Sequence, residues 1–177
     1  MPRIDTPSQI EHAPVASQEL LKAVQQSLGS VPNLFRITSN SPVVLEGYLN
    51  LNGALAKGAL SAQNRERIAL AVAQTNGCNY CLAAHQYLAT HLAKLTPAEI
   101  NANRAGSSMD AKAAAAVAFA VTVTQKRGKV SAAEFTAVRG AGYSDAEILE
   151  IVAHVALNTL TNYINEVFET VIDFPQA

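Results

Sequence analysis

The 177-residue sequence predicts an all-α domain of about eight helices. Three observations carry that expectation. Ala and Leu, strong helix formers, abound. Alternating runs of Val, Ile, Thr and Tyr, which would mark strands, are scarce. Three Ser/Thr-x-x-Glu sequences have the form of capping boxes: Thr96 to Glu99, Ser131 to Glu134 and Ser144 to Glu147.

Each element follows from local signals. Ser17 is expected to cap a first helix that runs to about Leu28 and is ended by Gly29. Ser30 to Asn33, with its central Pro32, reads as a turn. Ser41-Pro42 reads as an N-cap followed by proline at the first helical position. The helix it opens carries Val44, Leu45, Tyr48, Leu51 and Leu55 to about Lys57 or Gly58. Ser61 starts a helix over 62–76, stopped by Asn76-Gly77. Another begins near Cys78 and reaches about Lys94, and Thr96 opens a short one. Ser108 or Asp110 begins an Ala-rich helix ending near Arg127-Gly128. The boxes at Ser131 and Ser144 open the last two, one ending before Gly140 or Gly142 and one reaching about Val171. A weak internal repeat lies at an offset of 83 residues: Ser61, Ile68, Val72, Ala73, Asn79 and Tyr80 recur as Ser144, Ile151, Val155, Ala156, Asn162 and Tyr163. Ile164, Phe168 and Leu149 then stand where the first copy has Cys81, His85 and Glu66.

Composition excludes several function classes. Hydrophobic residues make up 49% and charged residues 15%, against about 25% charged in an average soluble protein, so a core can form and disorder is not the main state. The length suits one domain over residues 1–177. Thirteen Lys and Arg against 14 Asp and Glu give a net charge of −1, which argues against nucleic acid, since displacing its counterions takes a basic surface. So little charge also suggests that another subunit covers part of the surface. The longest apolar stretch, Ala113–Val123, contains Thr122 and falls short of the ~20 residues that cross a bilayer. The N-terminal residues lack the apolar stretch of a signal peptide, so no membrane association is expected and the cytoplasm is the expected compartment. No Gly-rich dinucleotide fingerprint is present, so neither NAD(P)H nor flavin is expected as a cofactor.

The chemistry concentrates between Glu66 and His85. The two cysteines of the chain, Cys78 and Cys81, are three positions apart, and His85 follows Cys81 by one helical turn. At about 100° per residue, the three side chains fall within roughly 60° of one another on one helix face. Gly77 breaks the chain just before Cys78, placing both thiols in the first turn of a new helix. Unpaired N–H groups and the positive end of the helix dipole stabilise a thiolate there. A thiolate is the form that attacks a peroxide O–O bond, and His85 can accept the Cys81 proton or pass one to the leaving group. Glu66 lies on the preceding helix; a fold at Asn76-Gly77 would let it orient His85 or act through a water.

The pattern Glu66-x11-Cys78-x2-Cys81-x3-His85 resembles the signature of the AhpD-like alkylhydroperoxidases, within the carboxymuconolactone decarboxylase superfamily. The stretch Gly77–His85 is similar to the peroxidase-related subgroup, as is a C-terminal helix like Ala153–Asn165, so the resemblance covers roughly residues 30–170. It implies an AhpD-like all-helical fold assembled as a homo-oligomer, a trimer or hexamer. It implies reduction of organic hydroperoxides or hydrogen peroxide, with Cys81 the peroxidatic thiol, Cys78 the resolving thiol, and His85 and Glu66 a proton relay. An external dithiol or lipoyl-bearing protein would restore the thiols. Tyr80 is a departure: the best-studied branch has a second histidine there, and a tyrosine hydroxyl donates a hydrogen bond but is a poor base at neutral pH.

Other readings compete. The cysteines could fill a core. Zinc could be held by Cys78, Cys81, His85 and His91, yet His91 points elsewhere on the helical wheel and structural zinc gathers ligands from two segments. A thioredoxin-like protein would need strands around its CxxC. Glu66, between Arg65 and Arg67, could be a solvated charge, and the two arginines are expected in subunit or surface contacts. Tyr80 is expected to pack beside the thiols or line the site, and His154 to be a satisfied core or interface histidine. Asn158, Asn162 and Asn165 could cap neighbouring helices or line a pocket, and His12 is expected to be exposed. Two other functional classes stand beside the peroxidase: a non-redox lactone decarboxylase, which would not need the cysteine pair, and a redox-sensing interaction module without turnover.

Overall fold

The computed structural model describes residues 1–175. Among them are nine α-helices and no strand: α1 (Val15–Leu28), α2 (Asn33–Thr38), α3 (Pro42–Leu55), α4 (Ala62–Asn76), α5 (Asn79–His91), α6 (Pro97–Arg104), α7 (Ala111–Gln125), α8 (Ala132–Gly140) and α9 (Asp145–Phe168). None is long and apolar enough to cross a membrane.

The helix α4 is the axis of the fold, with α5, α6, α7 and α9 packed around it. Its six consecutive residues Ile68 to Ala73 are all buried. A helix covered on every side needs apolar residues all round rather than a stripe. Ile68 and Val72 join Ala116, Phe119 and Ala120 of α7 and Ile148, Ile151 and Val155 of α9 in the main core. Each large aliphatic side chain there stabilises the fold by roughly 1.5–3 kcal/mol.

Cap chemistry sets most boundaries. Ser61, Thr96, Asp110, Ser131 and Ser144 each accept a backbone N–H at the start of a helix. The boxes at Ser131 and Ser144 are reciprocal. At Thr96 the box is half made, because the Glu99 carboxylate is turned to other partners. Ser17 is not a cap. The first helix starts at Val15 behind Pro14, whose ring presets the backbone, and the buried Ser17 hydroxyl donates to Ser39 O at 2.7 Å. The expected turn at Ser30 to Asn33 leads instead into α2, a helix too short to show periodicity. Its hold comes from elsewhere in the chain: Arg36 donates to Pro7 O and Ser8 O, and Asn33 N–H to Asp173. The helix α5 stops at His91, three residues earlier than expected, and Lys94 in the following turn takes a positive φ of 58°.

The positions of the weak internal repeat share an environment in one part, and the likeness ends abruptly. Ser61 and Ser144 cap equivalent helices, and Ile68 with Ile151, and Val72 with Val155, meet in one core. The correspondence stops at Gly77, whose counterpart is Leu160. Gly77 adopts φ 73° and ends α4, whereas α9 runs on unbroken for 24 residues. Beyond that point the faces differ: Tyr80 is buried, while Tyr163 is 59% exposed. After α9 the chain turns at Glu169 and lies back across α2 and α5. Asp173 accepts from Asn33 N–H and the Tyr80 hydroxyl, and Phe174 packs edge-on against the Tyr80 ring.

Candidate active site

The break at Gly77 creates the thiol site. With Cys78 N–H reaching back to Ala73 O at 3.0 Å, α4 closes and α5 starts in a new direction. Cys78 is the N-cap of α5, its Sγ accepting the Cys81 N–H at 3.3 Å. Asn165 of α9 donates to Cys81 Sγ at 3.2 Å. Both thiols are reduced and buried. The hydrogen bond shared by the two sulfurs, and burial, push the Cys78 thiol far up. The same bond works the other way on Cys81: it and the positive charge of His85 outweigh burial and bring its thiol down to about 6. Cys78 therefore keeps its proton and donates it toward a Cys81 thiolate at neutral pH.

His85 lies one turn further along α5, and Glu66 reaches it from α4. His85 Nδ1–H donates to Glu66 Oε2 at 2.8 Å. Burial works against a charged imidazole, but the Glu66 carboxylate and Cys81 outweigh it and hold His85 above its ordinary value. These groups share a cavity of about 110 Å³. It is lined by Cys81, His85 and Glu66 together with Tyr48, Asn52, Arg65, Tyr80, His154 and Asn158. Cys81 is 3% exposed and touches this cavity; Cys78 is fully buried behind it.

Glu66→Gln is expected to raise the thiol inflection of Cys81. The thiolate fraction grows with pH through the folded value of about 6. Without the carboxylate, His85 loses charge and supports the thiolate less. At pH 6 alkylation by iodoacetamide should slow roughly 3–10-fold, while the plateau rate near pH 9 changes little. A superimposable pH profile would remove Glu66 from the site.

The remaining expectations resolve as follows. Tyr80 does two things: its ring lines the cavity, and its hydroxyl donates to Asp173 Oδ1 at 2.8 Å while accepting Leu34 N–H at 3.1 Å. Burial pushes that phenol well above its usual range, so it is no base. Of the asparagines on α9, Asn165 holds a thiol, Asn162 accepts from Asn76 at 2.8 Å, and Asn158 lines the cavity. Arg67 forms a largely buried ion pair with Glu99 at 2.7 Å. Arg65 lines the cavity and donates to Leu60 O at 2.7 Å. His154 is buried, but it is not a satisfied histidine, because its Nε2 has no partner. His12 is exposed and shares a 3.1 Å hydrogen bond with Ser8. His91 stacks on Tyr87, and no three His, Cys, Asp or Glu side chains gather as a metal would need among the described residues. Arg65 and His154 had no sequence signal tying them to the thiols, since what unites them is the crossing of α4 and α9.

Comparison with known proteins gives three findings. Residues 42–126 match the model of the carboxymuconolactone decarboxylase family. No curated protein matches the chain. Solved structures match over nearly the whole length. One is an uncharacterized peroxidase-related protein from Ralstonia eutropha JMP134 with an alkylhydroperoxidase AhpD core (24% identity, 97% of this chain and 92% of that one, TM-score 0.86). Another is a peroxidase-related protein from Silicibacter sp. TM1040 (23% identity, 96% and 91%, TM-score 0.83). A third is a cysteine-to-alanine variant of the debrominase Bmp8 in complex with 2,3,4-tribromopyrrole (20% identity, 98% and 94%, TM-score 0.80).

Proposed function

We propose that the chain, whose residues 42–126 match the carboxymuconolactone decarboxylase family and whose fold is that of AhpD-like proteins, is a thiol-dependent peroxidase acting on organic hydroperoxides or hydrogen peroxide. The observation that carries the reading is the asymmetry of the thiol pair: Cys81 is held low at a cavity wall, and Cys78 is held protonated behind it. The Cys81 thiolate attacks the terminal oxygen of the peroxide, breaking the O–O bond and leaving a sulfenic acid. His85, held charged by Glu66, supplies the proton that turns the departing oxygen into an alcohol or water. The Cys78 thiol condenses with the sulfenic acid, forming a disulfide and releasing water. An external dithiol, of protein or lipoyl type, then reduces the disulfide and is itself oxidised. Free cysteines spaced for such a cycle suit the reducing cytoplasm. A decarboxylase acting on a lactone would have no use for this thiol arrangement.

The test is thiol titration before and after one equivalent of hydrogen peroxide or tert-butyl hydroperoxide. Both thiols should disappear together and return with dithiothreitol; thiols that survive the oxidant overturn the reading. The likeness to Bmp8 motivates a second substrate, because the same two electrons can reduce a carbon–halogen bond: R–Br and two thiols give R–H, HBr and a disulfide. Oxidation of the thiols by 2,3,4-tribromopyrrole but not by peroxides would move the assignment to dehalogenation. Oxidation that alters subunit packing without catalytic turnover would mark a redox sensor.

Assembly into a homo-oligomer, a trimer or hexamer, belongs to the same proposal. The outer face of α9 supports it. Leu149, Ala156 and Tyr163 recur every seven residues, with Val152, Leu160 and Val167 beside them, and all six are exposed. A solvent-facing stripe this apolar has the spacing of a helix seam. Leu160→Glu should reduce the mass measured by light scattering to that of the 18.7 kDa monomer; an unchanged mass places the seam elsewhere.

A further inference from the structure

The proposed redox cycle uses Cys81, His85 and Glu66 of the cavity and gives no task to its basic residues Arg65 and His154. Arg65 is the first. It is the permanent positive charge on the cavity wall, and its guanidinium forms no ion pair among the described residues. Its recorded hydrogen bond, to Leu60 O, uses one of five N–H donors. The nearest carboxylate in sequence, Glu66, is committed to His85. His154 is the second. It is 4% exposed, and its Nε2 finds no hydrogen-bond partner. A buried polar atom left unpaired costs about 1–3 kcal/mol, a cost that a ligand oxygen would remove. Burial and the nearby charge of Arg65 keep this imidazole below its ordinary value, so at neutral pH it meets a ligand as a neutral group.

An unpaired guanidinium and a neutral imidazole in one small cavity suit a planar anion with two oxygens. The remaining wall is mixed, with apolar Leu34, Ala69 and Leu157 beside polar Tyr48, Asn52 and Asn158. The volume of about 110 Å³ sets the size. It is smaller than the ~150 Å³ apolar cavity that admits benzene, so a few heavy atoms beside the anion fill it. We propose that Arg65 and His154 form a carboxylate subsite, and that the substrate is a short-chain organic acid carrying the peroxide group that Cys81 reduces. The substrate class rests on the peroxidase reading; the subsite itself needs only a reactive Cys81.

Two alkylating reagents of nearly equal size test it without turnover. Iodoacetate carries a carboxylate where iodoacetamide carries a neutral amide. Each rate at Cys81, read by mass spectrometry at pH 7, is divided by the rate of the same reagent with dithiothreitol. The normalised iodoacetate rate should exceed that of iodoacetamide by at least about tenfold, the factor supplied by one charge-assisted hydrogen bond. It should saturate with concentration and be slowed by acetate or propionate but not by equal chloride. Arg65→Gln should erase the preference, slowing iodoacetate far more than iodoacetamide, and Arg65→Lys should restore part of it. His154→Gln should raise the half-saturating iodoacetate concentration. A normalised ratio near one in the wild-type protein, or equal slowing of both reagents by Arg65→Gln, overturns the subsite and leaves the peroxidase reading standing. A Cys81 that neither reagent modifies overturns both.

Discussion

Peroxide consumption is expected to fall by at least about 10³-fold in Cys81→Ser, to the level of the buffer with its reductant. The size of the effect follows from ionisation. The wild-type thiol, at about 6, is mostly thiolate at neutral pH. A serine hydroxyl in the same place keeps its proton and cannot take an oxygen from a peroxide. The change removes little volume, so the unfolding free energy should move by less than ~2 kcal/mol, which separates lost chemistry from lost structure. Cys78→Ser makes the complementary case. The serine hydroxyl still donates toward Cys81, so the first attack survives, but no disulfide can form. One equivalent of peroxide per chain should be consumed, leaving a sulfenic acid that dimedone traps. Wild-type protein in which dimedone traps the sulfenic acid and no disulfide forms would remove Cys78 from the resolving role.

The largest expected loss of stability lies outside the cavity, at Glu99. This carboxylate is buried between α4 and α6 and the turn before α7. It accepts from Arg67 at 2.7 Å, Asn103 at 3.0 Å, Ser108 at 2.5 Å and Met109 N–H at 2.8 Å. Burial alone would raise its value, but these donors outweigh burial and hold it at about 2. Glu99→Gln keeps the shape and strands the Arg67 charge in the interior, at a cost of about 3–5 kcal/mol. For a chain of this length that corresponds to a fall in Tm of roughly 10 °C. The pH dependence has a definite sign. The folded carboxyl sits below its ordinary 4.5, so its contribution is complete above that value and is lost as pH falls toward about 2. Denaturation curves of Glu99→Gln and wild type should therefore lie far apart at pH 7 and converge at pH 2–3. A difference under 1 kcal/mol at pH 7 would show that Arg67 finds water or another partner when Glu99 is gone.

Glu99 also illustrates what the sequence reveals and what it hides. Thr96-x-x-Glu99 announces a helix start correctly, yet the glutamate's own bonds go to residues up to 32 positions away. The strongest capping signals, Ser131 and Ser144, are satisfied locally and place their helices correctly. The helix α2 escapes notice because its anchors, Pro7, Ser8 and Asp173, lie far from it in sequence. The site divides the same way. Cys78, Cys81 and His85 are legible because helix geometry alone puts them on one face. Glu66 becomes legible once Gly77 is read as an elbow. Asn165 is 84 residues from the thiol it contacts, and among similar asparagines on α9 spacing alone could not single it out. Arg65 and His154 carry no local mark at all.

The tail beyond α9 carries a final consequence. Cys78 offers no area to solvent, and Phe174 rests on the cluster that contains it, while Asp173 is latched to Tyr80 between the cysteines. The cavity of about 110 Å³ has room for a small peroxide and none for a folded electron donor. On the proposed cycle, a bulky donor would reach Cys78 only after the C-terminal segment is displaced, and recovery under such a donor would then be paced by that displacement rather than by sulfur chemistry.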